Sequence, residues 1–339
     1  MDWNDHFGTV FFETWQKAGL PYHDDFLAEY VETRYTVEFN NVWIKRPYKS
    51  SPAIEENLLR SIYGFGYVLG KVFSALLKLN ETESKKASDW CGRFNLGISL
   101  FDYLSDETAG GVNRVSSLKI FQPFTKEEIS EAYALTPEEE VLSNLTKSIL
   151  SDLDNTVVKK QGSQKTDQLF KLMKQLYEAQ NFLSKEGLSA QADLNKIKKS
   201  LYRKSAEPFR MMAEYTARTA DRNDPLLIEN ARSLGKAIGY CYWIIDDAKD
   251  VWMDLEAGQW NLFLQIAASE DPLIFKKKSD ASRDDYLQGI WKQSKHAEKL
   301  SAQIVESLVR STEVLEATDE VKKHTLGLIA ASLWQWHSY

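Results

Sequence analysis

Apolar positions recur at three- and four-residue spacing through most of the chain, which predicts helices rather than strands. One such pattern runs from Ala53 to Lys78 behind Ser51-Pro52, a helix-start signal, and a second from Ala87 to Glu107. The second ends at Thr108-Ala109-Gly110-Gly111, where paired glycines let the chain reverse. Thr125 ahead of Glu127-Glu128, and Thr136-Pro137 ahead of Glu138-Glu139, each place a cap or a proline before acidic first-turn residues and predict two more helix starts. The periodicity returns over Asp167–Ser184, Ala190–Arg218, Pro225–Asp254, Tyr286–Ser311 and Asp319–Trp336. Between these, Asn155–Thr166 is polar and lysine-rich and reads as an exposed connection, and Ala268–Asp284 reads as a loop. Strand-like alternation is confined to Tyr35–Phe39. The expected fold class is all-α, one domain of about ten helices over residues 1–339, with residues 1–50 as an N-terminal extension or lid.

Composition narrows the function. With 16 glycines and 8 prolines in 339 residues, long helices meet few breakers, and an apolar fraction of 43% is enough for a core that needs no disulfides. The net charge is -7 and no dense Lys/Arg block occurs, so no nucleic-acid partner is expected. Cys91 and Cys241 are the only cysteines, which excludes a disulfide framework and a Cys-only metal cage. The first residues, Met1-Asp2-Trp3-Asn4-Asp5-His6, lack the basic start and apolar run of a secretory signal. The apolar stretches 98–104, 234–245 and 326–336 fall short of the roughly 20 residues needed to cross a bilayer, so no transmembrane segment is expected. A soluble, cytoplasmic protein is the expectation. Its 10 Trp, 15 Tyr and 16 Phe would serve a core, and would equally line a cavity for an apolar substrate.

Two acidic clusters carry the chemistry. Asp102 and Asp106 end an apolar run, Ile98-Ser99-Leu100-Phe101, and lie four apart, hence one turn apart on one helix face. Like charges so placed repel unless compensated, and a divalent cation compensates them; Mg2+ suits oxygen ligands and bridges to phosphates. The pair could also be an ordinary solvated helix end. The second cluster is denser: Asp246, Asp250 and Asp254 recur every four residues, with Asp247 beside them, after the apolar run Tyr240-Cys241-Tyr242-Trp243-Ile244-Ile245. Acids emerging from such a run are costly in a closed core unless paired or metal-bound, although a surface stripe would give the same spacing. Ile98 lies one turn before Asp102, and Tyr242 and Trp243 one turn before Asp246 and Asp247, with Phe94 and Gly239 a turn further down. Two such helices face to face would enclose a cavity with a charged rim and an apolar floor, with room left at Gly239.

In this arrangement the sequence resembles the class I isoprenoid synthases, which comprise trans-prenyl diphosphate synthases and class I terpene cyclases. Asp102-Tyr103-Leu104-Ser105-Asp106 looks like a thinned first DDxxD motif, and Asp246-Asp247-Ala248-Lys249-Asp250 matches the second in full. Lys199-Ser200-Leu201-Tyr202 resembles the Lys-Thr segment that precedes the second motif in prenyltransferases. The resemblance covers residues 50 to 265. It implies a helical bundle around a central apolar cavity, three Mg2+ ions, a prenyl diphosphate substrate, and an architecture compatible with a homodimer. Carried over residue by residue, it gives Asp102, Asp106, Asp246 and Asp250 as metal ligands, with Asp247 and Asp254 secondary. Arg203, Lys199 and Arg114 would orient the diphosphate, and Phe94, Ile98, Tyr242 and Trp243 would contact the hydrocarbon.

Departures from the family pattern bear on the subtype. Elongating enzymes carry Arg-Arg-Gly after the first motif and Gly-Lys-x-x-Arg-Pro near the N-terminus, both for the second substrate. This chain has Thr108-Ala109-Gly110-Gly111-Val112-Asn113-Arg114 at the first place and only Lys45-Arg46-Pro47 as an echo of the second. Trp243 stands where elongating enzymes commonly have Gln. The cyclase triad Asn-Asp-x-x-Ser-x-x-x-Glu is also absent. The expectation is therefore an atypical class I terpene synthase that ionises a linear prenyl diphosphate with Mg2+ and releases pyrophosphate. The alternatives are a trans-prenyl diphosphate synthase that elongates an allylic diphosphate, and a non-catalytic helical binding protein.

Overall fold

A computed structural model of the chain describes residues 2–36, 56–106, 191–220, 224–276 and 281–338, with scattered positions between 144 and 188; residues 56, 101, 103–106, 276, 281 and 282 are described by their helical backbone alone. The described secondary structure is helical throughout. The helices are α1 (Trp3–Lys17), α2 (Leu27–Thr36), α3 (Glu56–Leu76), α4 (Glu81–Asp106), α5 (Leu194–Ser205), α6 (Glu207–Thr219), α7 (Pro225–Ala257), α8 (Leu262–Glu270), α9 (Ala281–Gln293), α10 (His296–Glu313) and α11 (Asp319–Ser338). The expected all-α class is what is found. The predicted helix starts at Thr125 and Thr136 and the Asn155–Thr166 connection lie outside the described residues, as do residues 37–39 of the strand-like stretch; its Tyr35 and Thr36 end α2.

The 33-residue α7 is the axis of the bundle, packed against α1, α5, α6, α8, α10 and α11. Asp224 caps its start by accepting the Leu226 N–H at 2.9 Å, Pro225 occupies the first turn, and Gly258 ends it at φ 68, a left-handed conformation that glycine adopts without strain. Gly239 has a different use from the one expected. A methyl there would lie 2.5 Å from the Ala206 carbonyl oxygen, so the missing side chain admits the backbone at the α5–α6 junction rather than opening the cavity. A buried ion cluster fastens the same two helices: Glu214 on α6 accepts from Arg218 and from Arg232 of α7, and pairs with Arg210. Burial alone would raise the Glu214 pKa, but the hydrogen bonds from Arg232 and Arg218 outweigh it and hold the group at about 2.

The single helix expected over Ala190–Arg218 is broken at Ala206, next to Pro208, giving α5 and α6. The pattern over Tyr286–Ser311 likewise divides at Lys295, a left-handed residue at φ 53. At the N-terminus, α1 turns Trp3, Phe7, Phe11 and Trp15 inward at four-residue spacing. They are fully buried, with Phe7 edge-on to Phe263 of α8 at 5.4 Å and Trp3 against Trp291 of α9 at 5.2 Å. Among the described residues no helix is long and apolar enough to cross a membrane.

Candidate active site

Helix α4 packs between α3 and α6, and this sandwich decides which stripe faces inward. Trp90 stacks on Tyr215 of α6 at 3.7 Å, and Cys91 lies against Met212 and Thr216. The remaining inward stripe is Asn95, Ile98, Ser99 and Asp102, at the i, i+3, i+4, i+7 spacing of one helix face. Facing it, α7 presents Tyr242, Trp243, Asp246, Asp247, Asp250 and Asp254. Between them is a cavity of about 950 Å³, closed further by Leu201, Lys204 and Ser205 of α5, by Pro208 and Phe209 of α6, and by Phe65, Arg34 and Trp336. Its size is at the upper end of small-molecule pockets.

The cavity divides by chemistry. At one end Tyr242 stacks on Phe209 at 5.0 Å and meets Phe65 edge-on at 5.1 Å, with its hydroxyl bonded to Ser332. At the other end the described lining carries five carboxylates, Asp102, Asp246, Asp247, Asp250 and Asp254; the described lining cations are Lys204 and, on the wall, Arg34. Lys204 Nζ pairs with Asp102 Oδ1 at 3.3 Å. The partners described for Arg34 are neutral: the Ser61 carbonyl at 3.1 Å, the Ser61 hydroxyl, the Tyr30 hydroxyl and Gln335 Oε1 at 2.8 Å.

The acids differ in their surroundings. Burial and the Asp250 charge push Asp246 up to about 6, against the hydrogen bond it accepts from the Trp336 indole at 2.8 Å. Asp254 is pushed by burial up to about 7, opposed by the Asn261 amide at 3.1 Å, and Asp250 is also raised by burial. Asp247 is the most enclosed of the four acids on α7, and burial lifts its pKa well above the ordinary value. Its Oδ2 accepts the Leu262 N–H at 2.6 Å and the Trp243 indole N–H at 2.8 Å, so this carboxylate also caps α8.

The sequence candidates are thus distributed unevenly. Asp102, Asp246, Asp247, Asp250, Asp254, Ile98, Tyr242 and Trp243 line one cavity. Phe94 is fully buried a quarter-turn away, stacked on Trp90 at 4.9 Å, and is not among the lining residues. Lys199 is exposed, and neither it nor Arg203 lines the cavity. They lie roughly 140° and 100° around α5 from Lys204, which does. Asp106 ends α4 with its side chain outside the described residues, and Arg114 lies outside them altogether. Sequence reasoning missed Lys204, although Leu201, Lys204, Ser205 and Pro208 carry an inward-face spacing. It also missed Arg34, Phe65, Phe209 and Trp336, which arrive from distant segments.

The donor set fits a divalent cation held jointly with a ligand. Among the described lining residues, five carboxylates face one space with two cations. Among the described residues no three His, Cys, Asp or Glu side chains converge into a ready-made metal cluster. Mg2+ typically takes one or two carboxylates and completes its shell with water and phosphate oxygens.

No family model and no curated protein matches the sequence. Solved structures do match. A decaprenyl diphosphate synthase from Rhodobacter capsulatus superposes with a TM-score of 0.60 over 98% of this chain and 98% of that one, at 10% identity. A geranylgeranyl pyrophosphate synthetase from the archaeon Geoglobus acetivorans gives 0.60 over 91% and 98%, at 14% identity. The chain has the class I isoprenoid synthase fold. A heptaprenyl diphosphate synthase from Staphylococcus aureus, at 0.53 over 85% of this chain and 94% of that one with 13% identity, shares this isoprenoid synthase fold.

Proposed function

We propose that the chain is a Mg2+-dependent enzyme that ionises an allylic prenyl diphosphate in this cavity. The observation that carries the reading is the cavity itself, with Asp102 on α4 facing the Asp246–Asp254 stripe on α7 above an aromatic floor. Asp102, Asp246 and Asp250 would hold the metal, with Asp106 and Asp254 as further ligands. When bound, Mg2+ supplies Lewis-acid stabilisation of the departing pyrophosphate oxygens. The allylic C–O bond breaks with both electrons leaving on pyrophosphate. Lys204 adds positive charge at the rim, where that negative charge develops. The faces of Tyr242, Phe209 and Phe65 border the hydrocarbon end, where the allylic cation is left, and such contacts contribute roughly 2 kcal/mol when desolvated. The enclosing walls keep water from quenching the cation.

Two finer readings divide on what captures the cation. Elongation, in which the double bond of a second diphosphate attacks and a proton is then lost, is the better supported. The structural neighbours named above are all prenyl diphosphate synthases, and Arg34, with neutral partners, offers a second diphosphate a cation on the cavity wall. The terpene synthase reading rests on the absent Arg-Arg-Gly and on Trp243. The deciding experiment supplies allylic diphosphates of increasing length with Mg2+, with and without isopentenyl diphosphate, and identifies the products. A longer diphosphate that forms only with isopentenyl diphosphate supports elongation. A hydrocarbon or terpene alcohol formed without it supports cyclisation. Absence of pyrophosphate release under every condition would leave a binding protein and overturn the enzymatic reading.

A further inference from the structure

We infer that the last turn of the C-terminal helix α11 is a positioning element for the metal-binding carboxylate, acting through Trp336; this rests on the diphosphate-ionising reading above. Trp336 Nε1 donates to Asp246 Oδ1 at 2.8 Å, and among the described residues this is the one hydrogen bond that the Asp246 carboxylate accepts. The neighbouring Gln335 accepts from Arg34 at 2.8 Å. Two adjacent residues of one helix therefore hold the cavity's rim acid and one of its two described cations. The Trp336 carbonyl in turn accepts from Lys249 Nζ of α7 at 3.3 Å, which fixes the end of α11 to the turn of α7 that carries the acids.

The physical argument is one of preorganisation. A carboxylate with no fixed donor rotates about its side-chain torsions and presents its oxygens in several directions. An indole N–H on Oδ1 fixes its rotamer and leaves Oδ2 for a cation. Donors of this kind, one bond removed from the metal, are worth about 10- to 100-fold in metal affinity. The contact is not needed to dock α11. Leu326, Ile329 and Leu333 already bury that helix in the core, and Trp336 itself is only half-buried. The ring also forms cavity wall, 5.4 Å from Phe65 and 6.0 Å from Tyr242, so a substitution must keep a ring to isolate the hydrogen bond.

Trp336→Phe keeps a ring and removes the donor; Trp336→His keeps a ring N–H. Both are titrated with MgCl2 at fixed inorganic pyrophosphate, by calorimetry and by thermal shift, and then assayed for turnover. Expected are an unliganded melting temperature for Trp336→Phe within a few degrees of the parent, a half-saturating Mg2+ concentration raised about 10-fold or more, and partial recovery in Trp336→His. The KM for the allylic diphosphate at saturating Mg2+ should change less than the metal requirement. An unchanged Mg2+ titration in Trp336→Phe overturns the positioning role while leaving the enzymatic reading intact. So does a collapse of its melting temperature, which would make the contact structural, or a His variant as impaired as the Phe variant. If the parent protein shows no Mg2+-dependent pyrophosphate binding, the enzymatic reading itself fails and takes this role with it.

Discussion

Lys204 crosses from α5 to Asp102 on α4, Nζ to Oδ1 3.3 Å, and puts an ammonium group at the acidic rim of the cavity. Both side chains are partly exposed, 25% and 44%, so the pair adds only roughly 0 to 1 kcal/mol to stability. Its larger effect is expected on a bound anion. Lys204→Met should leave the melting temperature within a few degrees of the parent while weakening pyrophosphate binding and lowering turnover about 100-fold, the scale of losing one charge-stabilising group. Lys204→Arg should retain part of both. Full turnover in Lys204→Met would remove this cation from the mechanism.

Asp247 and Asp246 are adjacent in sequence but should respond differently to substitution. Asp247→Ala leaves the Leu262 N–H and the Trp243 indole N–H without their acceptor in a buried site, at a cost of about 1 to 3 kcal/mol each. Asp247→Asn keeps an acceptor oxygen and should stay near the parent in thermal stability. By contrast, Asp246→Asn combined with Asp250→Asn should fold normally and lose Mg2+-dependent pyrophosphate binding. Chemical denaturation and calorimetry on these variants check both halves. A stable Asp247→Ala protein would contradict the capping role, and full binding in the double variant would contradict the ligand role.

How much of this was legible in the sequence depends on range. Periodicity sufficed for α3, α4, α7 and α11, because each buries a stripe whose repeat is local. The acids were legible for the same reason: Asp246, Asp250 and Asp254 repeat every four residues behind an apolar run. The breaks at Ala206 and Lys295 were not, since Pro208 fits a first turn as well as an interruption and a lysine gives no sign of a left-handed residue. Which side of α5 faces inward depends on its packing against α6, α7 and α8, so the local pattern points to Lys199 and Arg203 while the packing brings in Lys204. Arg34 and Trp336 reach the cavity from helices far apart in sequence, and nothing near either one marks it as a cavity residue. The role expected of Gly239 failed because its space is filled by the backbone at Ala206, a tertiary contact without a local pattern.

The Glu214 cluster gives a prediction that separates folding from chemistry. Glu214 is 4% exposed and takes hydrogen bonds from Arg210, Arg218 and Arg232, none of which lines the cavity. Glu214→Gln removes the one buried negative charge that the three guanidinium groups share. Breaking a buried ion pair by neutralising one partner costs about 3 to 5 kcal/mol. Equilibrium unfolding should show a loss of that size, with turnover per folded molecule unchanged. A variant as stable as the parent would mean that Glu207 and Glu229, which pair with Arg210 and Arg232, are sufficient without it.

The rim acids contribute stability that the ligand-free protein loses as pH rises, opposite to the usual behaviour of aspartate. Asp246 and Asp254 are held up, to about 6 and about 7, from an ordinary value of 3.8, so between about pH 4 and pH 7 these two sites bind more protons in the native chain than in the unfolded one. Stability contributed by these groups is complete below the ordinary value and declines as pH climbs through the raised ones. Glu214, held down to about 2, acts in the other direction: its contribution is present above the ordinary glutamate value and is lost only in stronger acid. His23 and His337, whose pKa values burial lowers, oppose this trend as pH falls, so the acids are read by comparison: the parent without ligand should gain a few degrees more in melting temperature between pH 7.5 and pH 5 than an Asp246→Asn, Asp254→Asn variant. Adding MgCl2 with inorganic pyrophosphate should flatten or reverse that slope, because a cation among the carboxylates favours their ionised form. Scanning calorimetry at the two pH values, with and without the pair of ligands, measures both effects. A variant with the same pH dependence as the parent would contradict the burial assigned to Asp246 and Asp254. A slope that persists with ligands bound would mean that magnesium and pyrophosphate settle somewhere other than among these acids.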